Sequence, residues 1–144
     1  MARILLVVLN AFVAISAIAG AIWVVPTMPL DWIKAGPFTD WTIPAFALGS
    51  VGTVAAVAAV ALVVRPWLGA LVSAIAGVAM IAFELVEIGV VGWTLADPRL
   101  PIFQASLQLV YLIVGSLQVL LAALVWRATR TEAPPIPIIH PAPA

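Results

Sequence analysis

Two carboxylates, Glu84 and Glu87, stand three residues apart in the apolar run Ile81-Ala82-Phe83-Glu84-Leu85-Val86-Glu87-Ile88-Gly89. At that spacing they are neighbours on one helix face, where a pair of acids can titrate, bind a cation or fix a helix contact. No charged residue separates Arg65 from Glu84, and apolar character resumes after Glu87 as far as Trp93, so the segment should cross a bilayer. A carboxylate near the centre of such a helix costs roughly 2.5–3.5 kcal/mol on insertion scales, and should therefore face other helices or a wet cavity. At about 1.5 Å per residue, Glu84 falls roughly 5–12 Å below the nearer membrane boundary. Glu87 is shallower, toward the headgroups.

The stripe of the two acids continues along their helix through Met80, Gly77 and Ser73, a small-residue face suited to close helix contact. A matching stripe lies further on, where Gln104, Gln108, Tyr111, Gly115, Gln118 and Ala122 follow alternating three-and-four spacing. If the two helices form a hairpin, Gln104 and Gln108 come to the depth of Glu87 and Glu84, with Tyr111 slightly deeper. Amide and phenol donors there would satisfy the carboxylates. Toward the other boundary, Asn10 lies at the depth of Gln118 and is expected to pair with it. Gly49, Gly52, Ala56 and Ala59 form a face with no ionisable group, suited to tight packing. The proton- or ligand-binding candidates are thus Glu84, Glu87, Gln104, Gln108 and Tyr111. The packing candidates are Gly49, Gly52, Ser73, Gly77 and Gly115.

Each feature also has a structural reading. The acids can be paired or protonated and simply fix helix register, and amides in a membrane commonly join helices. A catalytic reading lacks its constellation. No nucleophile has an adjacent histidine base, and no histidine–carboxylate set suggests a metal. The chain has no cysteine, which removes thiol nucleophiles, iron–sulfur clusters and thiolate zinc sites, and its one histidine, His140, lies in the tail. No cofactor and no metal are expected.

The 144 residues are 65% hydrophobic and 8% charged, against about 25% charged in a soluble domain, so the chain should be an integral membrane protein. Six basic and six acidic side chains cancel, and without a basic cluster there is no basis for a nucleic-acid partner. The apolar runs predict an all-α, four-helix transmembrane bundle with helices at about 4–25, 44–64, 67–94 and 102–126. The first run follows Met1-Ala2-Arg3 and contains Ser16, Ala17, Ala19 and Gly20, features shared with secretory signals. Its length and its continuation through Ile22-Trp23-Val24-Val25 favour a retained helix.

The connection from Pro26 to Ile43 carries three prolines with Trp32 and Trp41, and reads as an external cap with a short interfacial turn around Leu30 to Ala35. Thr39, Asp40 or Thr42 can cap the second helix, and Pro44 suits its first turn. Arg65-Pro66-Trp67 makes a short turn into the third helix, and Asp97-Pro98-Arg99 a turn into the fourth. Asp31 and Asp40 read as solvated or capping. Residues 131–144 form a proline-rich tail that should be extended and cytoplasmic. With both termini inside, Arg3, Arg65, Arg127 and Arg130 are cytoplasmic while only Lys34 and Arg99 are external, in keeping with the positive-inside rule.

The segment Pro29-Leu30-Asp31-Trp32-Ile33-Lys34-Ala35-Gly36-Pro37-Phe38-Thr39-Asp40-Trp41-Thr42-Ile43-Pro44 resembles part of a family of small, uncharacterised four-helix bacterial membrane proteins common in actinobacteria. In that family a proline-leucine-x-tryptophan element and a glycine-x-proline-phenylalanine-serine/threonine-aspartate-aromatic element precede the second helix. Here Gly36 directly precedes Pro37, one residue shorter. The resemblance covers the four helices and not the tail, and it implies topology and a bacterial cytoplasmic (inner) membrane rather than an activity. The small-residue faces and missing catalytic groups lead to the expectation of a non-enzymatic accessory or stabilising component in the lipid bilayer. It would pack against itself as a homo-oligomer or against a larger membrane complex. The alternative is an oligomeric proton-coupled small-molecule carrier or ion-binding protein that uses Glu84.

Overall fold

The computed structural model describes residues 1–30, 38–91 and 102–131, without the side chains of 90, 91, 102–106 and 131. Four helices make up almost all of this: α1 (Ala2–Thr27), α2 (Thr42–Val64), α3 (Pro66–Val91) and α4 (Ile102–Thr131). All four are long and apolar enough to cross a membrane, so the chain is a multi-pass, all-α membrane protein. Of the external connection expected from Pro26 to Ile43, residues 31–37, with Asp31 and Trp32 and most of the expected turn, lie outside the described residues. So do the turn at 97–99 and the tail beyond Thr131.

The boundaries follow local chemistry. At the start of α2, the Asp40 carboxylate accepts the Thr42 backbone N–H at 2.8 Å, the local turn that a short acidic side chain makes at a helix start. That hydrogen bond holds the exposed Asp40 carboxyl below its ordinary value of 3.8. Between α2 and α3 only Arg65 is non-helical, and Pro66 opens α3 where its missing N–H is harmless. The last helix passes the expected end at Trp126 and continues through Arg127-Ala128-Thr129-Arg130-Thr131, because neither glycine nor proline interrupts it there. Arg130 lies over the Trp126 ring at 4.7 Å, an arginine near the helix's negative end stacked on an aromatic face.

Packing runs around a ring. Sequential helices are neighbours, α4 returns to α1 through a smaller interface, and α1 barely meets α3. Arg3 donates to the Val63 carbonyl at 2.9 Å, and Trp67 meets Trp126 edge-on at 6.2 Å, so Arg3, Arg65, Arg127 and Arg130 gather at one end. Trp41 marks the other end. On α1 the buried stripe is Leu6, Asn10, Val13, Ala14 and Ala17, while Ile4, Val8, Ile15 and Ile22 face outward, as lipid contact requires.

Two close approaches fix the geometry. A methyl on Gly69 would lie 2.3 Å from the Leu62 backbone nitrogen, so the one-residue turn closes only with hydrogen at that position. A methyl on Gly77 would lie 2.7 Å from the Gly115 carbonyl oxygen, and one on Gly115 would lie 2.9 Å from that of Gly77. The α3 and α4 backbones therefore touch at this pair, as small residues permit in membranes. Gly52 packs similarly against Ala14 and Ile18 of α1, and half-buried Gly49 faces Ala21. Next to them the buried small residues of α2 are Ala55 and Ala58, with Ala56 and Ala59 only half-buried. The inward face is thus rotated by one residue from the expected stripe, because α2 sits between α1 and α3 and must bury a side toward both.

Candidate functional site

Polar side chains occur in two layers. Nearer the arginine end, Asn10 of α1 donates to the Leu6 carbonyl at 2.8 Å and to the Ser73 hydroxyl of α3 at 3.0 Å. The Ser73 hydroxyl donates in turn to the Gly69 carbonyl at 2.7 Å. Gln118 of α4 donates its side-chain amide to Asn10 Oδ1 at 3.0 Å. Asn10, Ser73 and Gln118 are all completely buried, and the layer lies between two apolar clusters, one around Val13, Ala76 and Val114 and one around Leu6, Ala70 and Leu121. Ser73 is therefore a hydrogen-bonding member of this layer as well as a packing residue. Its place one helical repeat below Met80 on the acidic stripe hinted at the face but not at the partner.

Nearer the Trp41 end, Glu84 of α3 is 1% exposed, and its Oε2 has no hydrogen-bond partner among the described residues. Glu87, half-buried, accepts from the Gln108 amide at 3.3 Å. The expected pairing set Gln108 against Glu84, and the direction of helical side chains explains the difference. Side chains lean toward the N-terminus of their own helix, and α3 and α4 run in opposite directions. Glu84 leans toward the arginine end and Gln108 toward the Trp41 end, where Glu87 leans down to meet it. Tyr111, half-buried, stacks at 6.3 Å on Phe12 of α1, and its hydroxyl lies by Ser16 with both glutamates near. Gln104 is on α4, but its side chain lies outside the described residues.

These groups surround a cavity of about 120 Å³ between the four helices. Glu84, Glu87, Gln108 and Tyr111 contribute its polar wall, and Trp23, Trp41 and Phe83 its aromatic wall. Trp41 is 6% exposed and donates its indole N–H to the Pro29 carbonyl at 3.1 Å, which holds the ring over the end of the bundle. The sequence points to Trp23 at the end of the first apolar run and to Trp41 in the external connection, and gives Phe83 no role. The available signal was adjacency, since Phe83 precedes Glu84 and Trp41 follows the capping Asp40. Among the described residues no three acids, histidines or cysteines come together as metal ligands would.

The cavity therefore offers one deeply buried carboxyl, a second carboxyl bonded to an amide, a phenol and aromatic faces. Such a set can hold a proton or a positively charged solute. Comparison with known protein families, curated proteins and solved structures finds no match for the chain, so this geometry carries the functional argument.

Proposed function

We propose that this protein is a small-solute- or ion-binding membrane protein in which Glu84 exchanges a proton for bound solute. The observation that carries the reading is the Glu84 carboxyl, buried at the wall of a cavity with Oε2 unpartnered among the described residues. An intramembrane acid without a dedicated partner is costly, and retention of one beside a cavity fits a site that is filled in turn by proton and solute. Among the described residues the other titratable groups at the cavity are Glu87 on α3 and Tyr111 on α4, while α1 and α2 contribute none to its lining. Four helices around so small a space leave little room for a pathway within one chain, so the working unit is a homo-oligomer. The arginines gathered at one end support an orientation with both termini in the cytoplasm.

The test is proton-coupled binding or uptake by the full chain in liposomes. Glu84→Gln is expected to keep the wild-type oligomer and helicity and to abolish the pH dependence. Unchanged pH-dependent activity in that variant would end this reading.

The accessory role has one specific observation in its favour. The faces of Gly52, Gly77 and Gly115 are consumed within the chain, but a groove between α1 and α2 leaves Phe46, Ser50 and Thr53 exposed beside Gly49. Both hydroxyls there bond to their own helix, so the groove is chemically apolar. If another helix of a larger complex packs in it, Ser50→Leu should release co-purifying subunits while leaving Glu84 chemistry intact. Unchanged recovery of those subunits would count against the role.

A further inference from the structure

We infer that the cavity's ligand is a small protonated alkylamine, bound with an N–H toward Glu84 and its carbon chain against Phe83, Trp41 and Trp23. The inference rests on the reading of Glu84 as the cavity's exchanging group and names the solute class. Four observations narrow the class.

Charge is the first. Two carboxyls line the cavity, and among the described residues no lysine or arginine does, so an anionic solute meets repulsion from this lining without a counter-charge. The donor set is the second. A hard metal cation takes six to eight oxygen ligands, whereas this lining supplies Glu84, Glu87, Gln108 and Tyr111, with Gln108 already turned to Glu87. The remaining wall is apolar and aromatic. Indole, phenyl and phenol faces attract an organic ammonium that is partly desolvated, through the negative face of each ring.

Hydrogen bonding is the third observation. Oε2 of Glu84 is a fully buried acceptor with no donor among the described residues, and a turn of the carboxyl about its last, soft torsion brings it to the cavity that Glu84 lines. A protonated amine brings an N–H to it, whereas a quaternary ammonium brings none and leaves the acceptor unsatisfied. Size is the fourth. A cavity of about 150 Å³ takes up benzene, so the space of about 120 Å³ here holds about five non-hydrogen atoms, the size of a propyl- or butylamine. Simple alkylamines resemble the lysine side chain, which titrates near 10.4, and enter as cations at neutral pH. Charge balance then follows. One ammonium replaces one proton at Glu84, and the proton leaves to solvent.

The decisive experiment is calorimetric titration of the full chain in lipid nanodiscs at pH 7.5 with n-propylammonium chloride, run in two buffers of different ionisation enthalpy to count released protons. Tetramethylammonium, potassium and n-propanol serve as comparison probes. Saturable propylammonium binding is expected, weakened at least tenfold in Glu84→Gln and about threefold or more in Phe83→Leu, with near one proton released per amine. Tetramethylammonium should bind at least fivefold more weakly, and potassium and n-propanol should not compete.

Potassium binding with Glu84-dependent proton release, but no propylammonium binding, would overturn the amine class and leave the proton-exchange reading standing. Propylammonium binding that survives unchanged in Glu84→Gln would overturn both. If no probe binds, the amine class falls. An infrared titration of the carboxyl band lost in Glu84→Gln then decides the broader reading separately. Because Phe83→Leu touches only the aromatic wall, a misfolded glutamate variant does not remove the test.

Discussion

The two polar layers of the bundle use similar residues to opposite ends. The Asn10–Ser73–Gln118 layer is neutral, joins three helices through direct hydrogen bonds, and is pressed between apolar clusters. The Glu84–Glu87–Gln108–Tyr111 layer is ionisable, has a direct bond between Gln108 and Glu87, and surrounds a cavity. Each layer contains one buried oxygen without a partner among the described residues, Gln118 Oε1 in the first and Glu84 Oε2 in the second. The consequences differ. An amide oxygen left unpaired is a modest loss in a rigid site, whereas a carboxyl can gain or lose a proton or a counter-ion. The first layer holds the helices in register, and the second uses that register to present an acid.

The Gly77–Gly115 contact lies between the layers, and breaking it should affect both. In Gly77→Leu the new side chain would meet the Gly115 carbonyl, a backbone group that cannot turn aside, so α3 and α4 must separate. Overpacking of this kind costs about 3 kcal/mol or more, the upper end for such changes. Equilibrium unfolding in mixed micelles should show that loss, with the Glu84-dependent binding gone as well. Wild-type stability in this variant would refute the close packing of α3 on α4.

A smaller effect should separate the layers. Asn10→Leu removes two interhelical hydrogen bonds at about 0.6 kcal/mol each and strands the buried Gln118 amide, for a total of about 1–2 kcal/mol. Solute binding by the folded fraction should be unchanged. Glu84→Gln should give the reverse result, with a smaller loss of stability than Asn10→Leu, because the substitution keeps the side chain's size and Oε2 has no hydrogen bond to lose among the described residues, and with binding abolished. If both variants lose stability and binding in equal proportion, the two layers are one structural unit and the contrast between them fails.

Some of this was legible in the sequence, for reasons that particular residues illustrate. The four helices follow from uninterrupted apolar runs, and their composition leaves no other way to satisfy backbone groups in lipid. Asn10 and Gln118 come to a common depth through helix rise alone, and the three-and-four stripes of α3 and α4 contain both members of the Gly77–Gly115 contact. Gly69 was not singled out, because its constraint comes from the carbonyl-end backbone of α2 across a one-residue turn, which no periodicity encodes. An amide does meet a carboxylate there, but Gln108 reaches Glu87 rather than the acid at its own depth, because side chains on antiparallel helices lean in opposite directions, which depth along the helix axis does not encode. The cavity itself is a property of how four helices meet, and only its acids were visible beforehand.

The smallest expected effect lies at the edge of the second layer. Hydrogen bonds from the backbone N–H and the hydroxyl of Thr42 hold the Asp40 carboxyl below its ordinary value of 3.8, so the ionised form is the one that the folded start of α2 prefers. The contribution of Asp40 is then complete above about pH 3.8 and is lost as pH falls through the lower folded value. Amide exchange at Thr42, normalised to an unfolded reference, should quicken over that acid window in the wild type. Asp40→Asn keeps an acceptor of comparable capping strength but has no proton to gain, so its exchange should stay flat. An equal acid response in both would show that Asp40 is not the titrating cap. Since Trp41 is the next residue and closes over the cavity, the same loosening should reach the Glu84 layer, leaving the Asn10 layer, buried between its apolar clusters, unaffected.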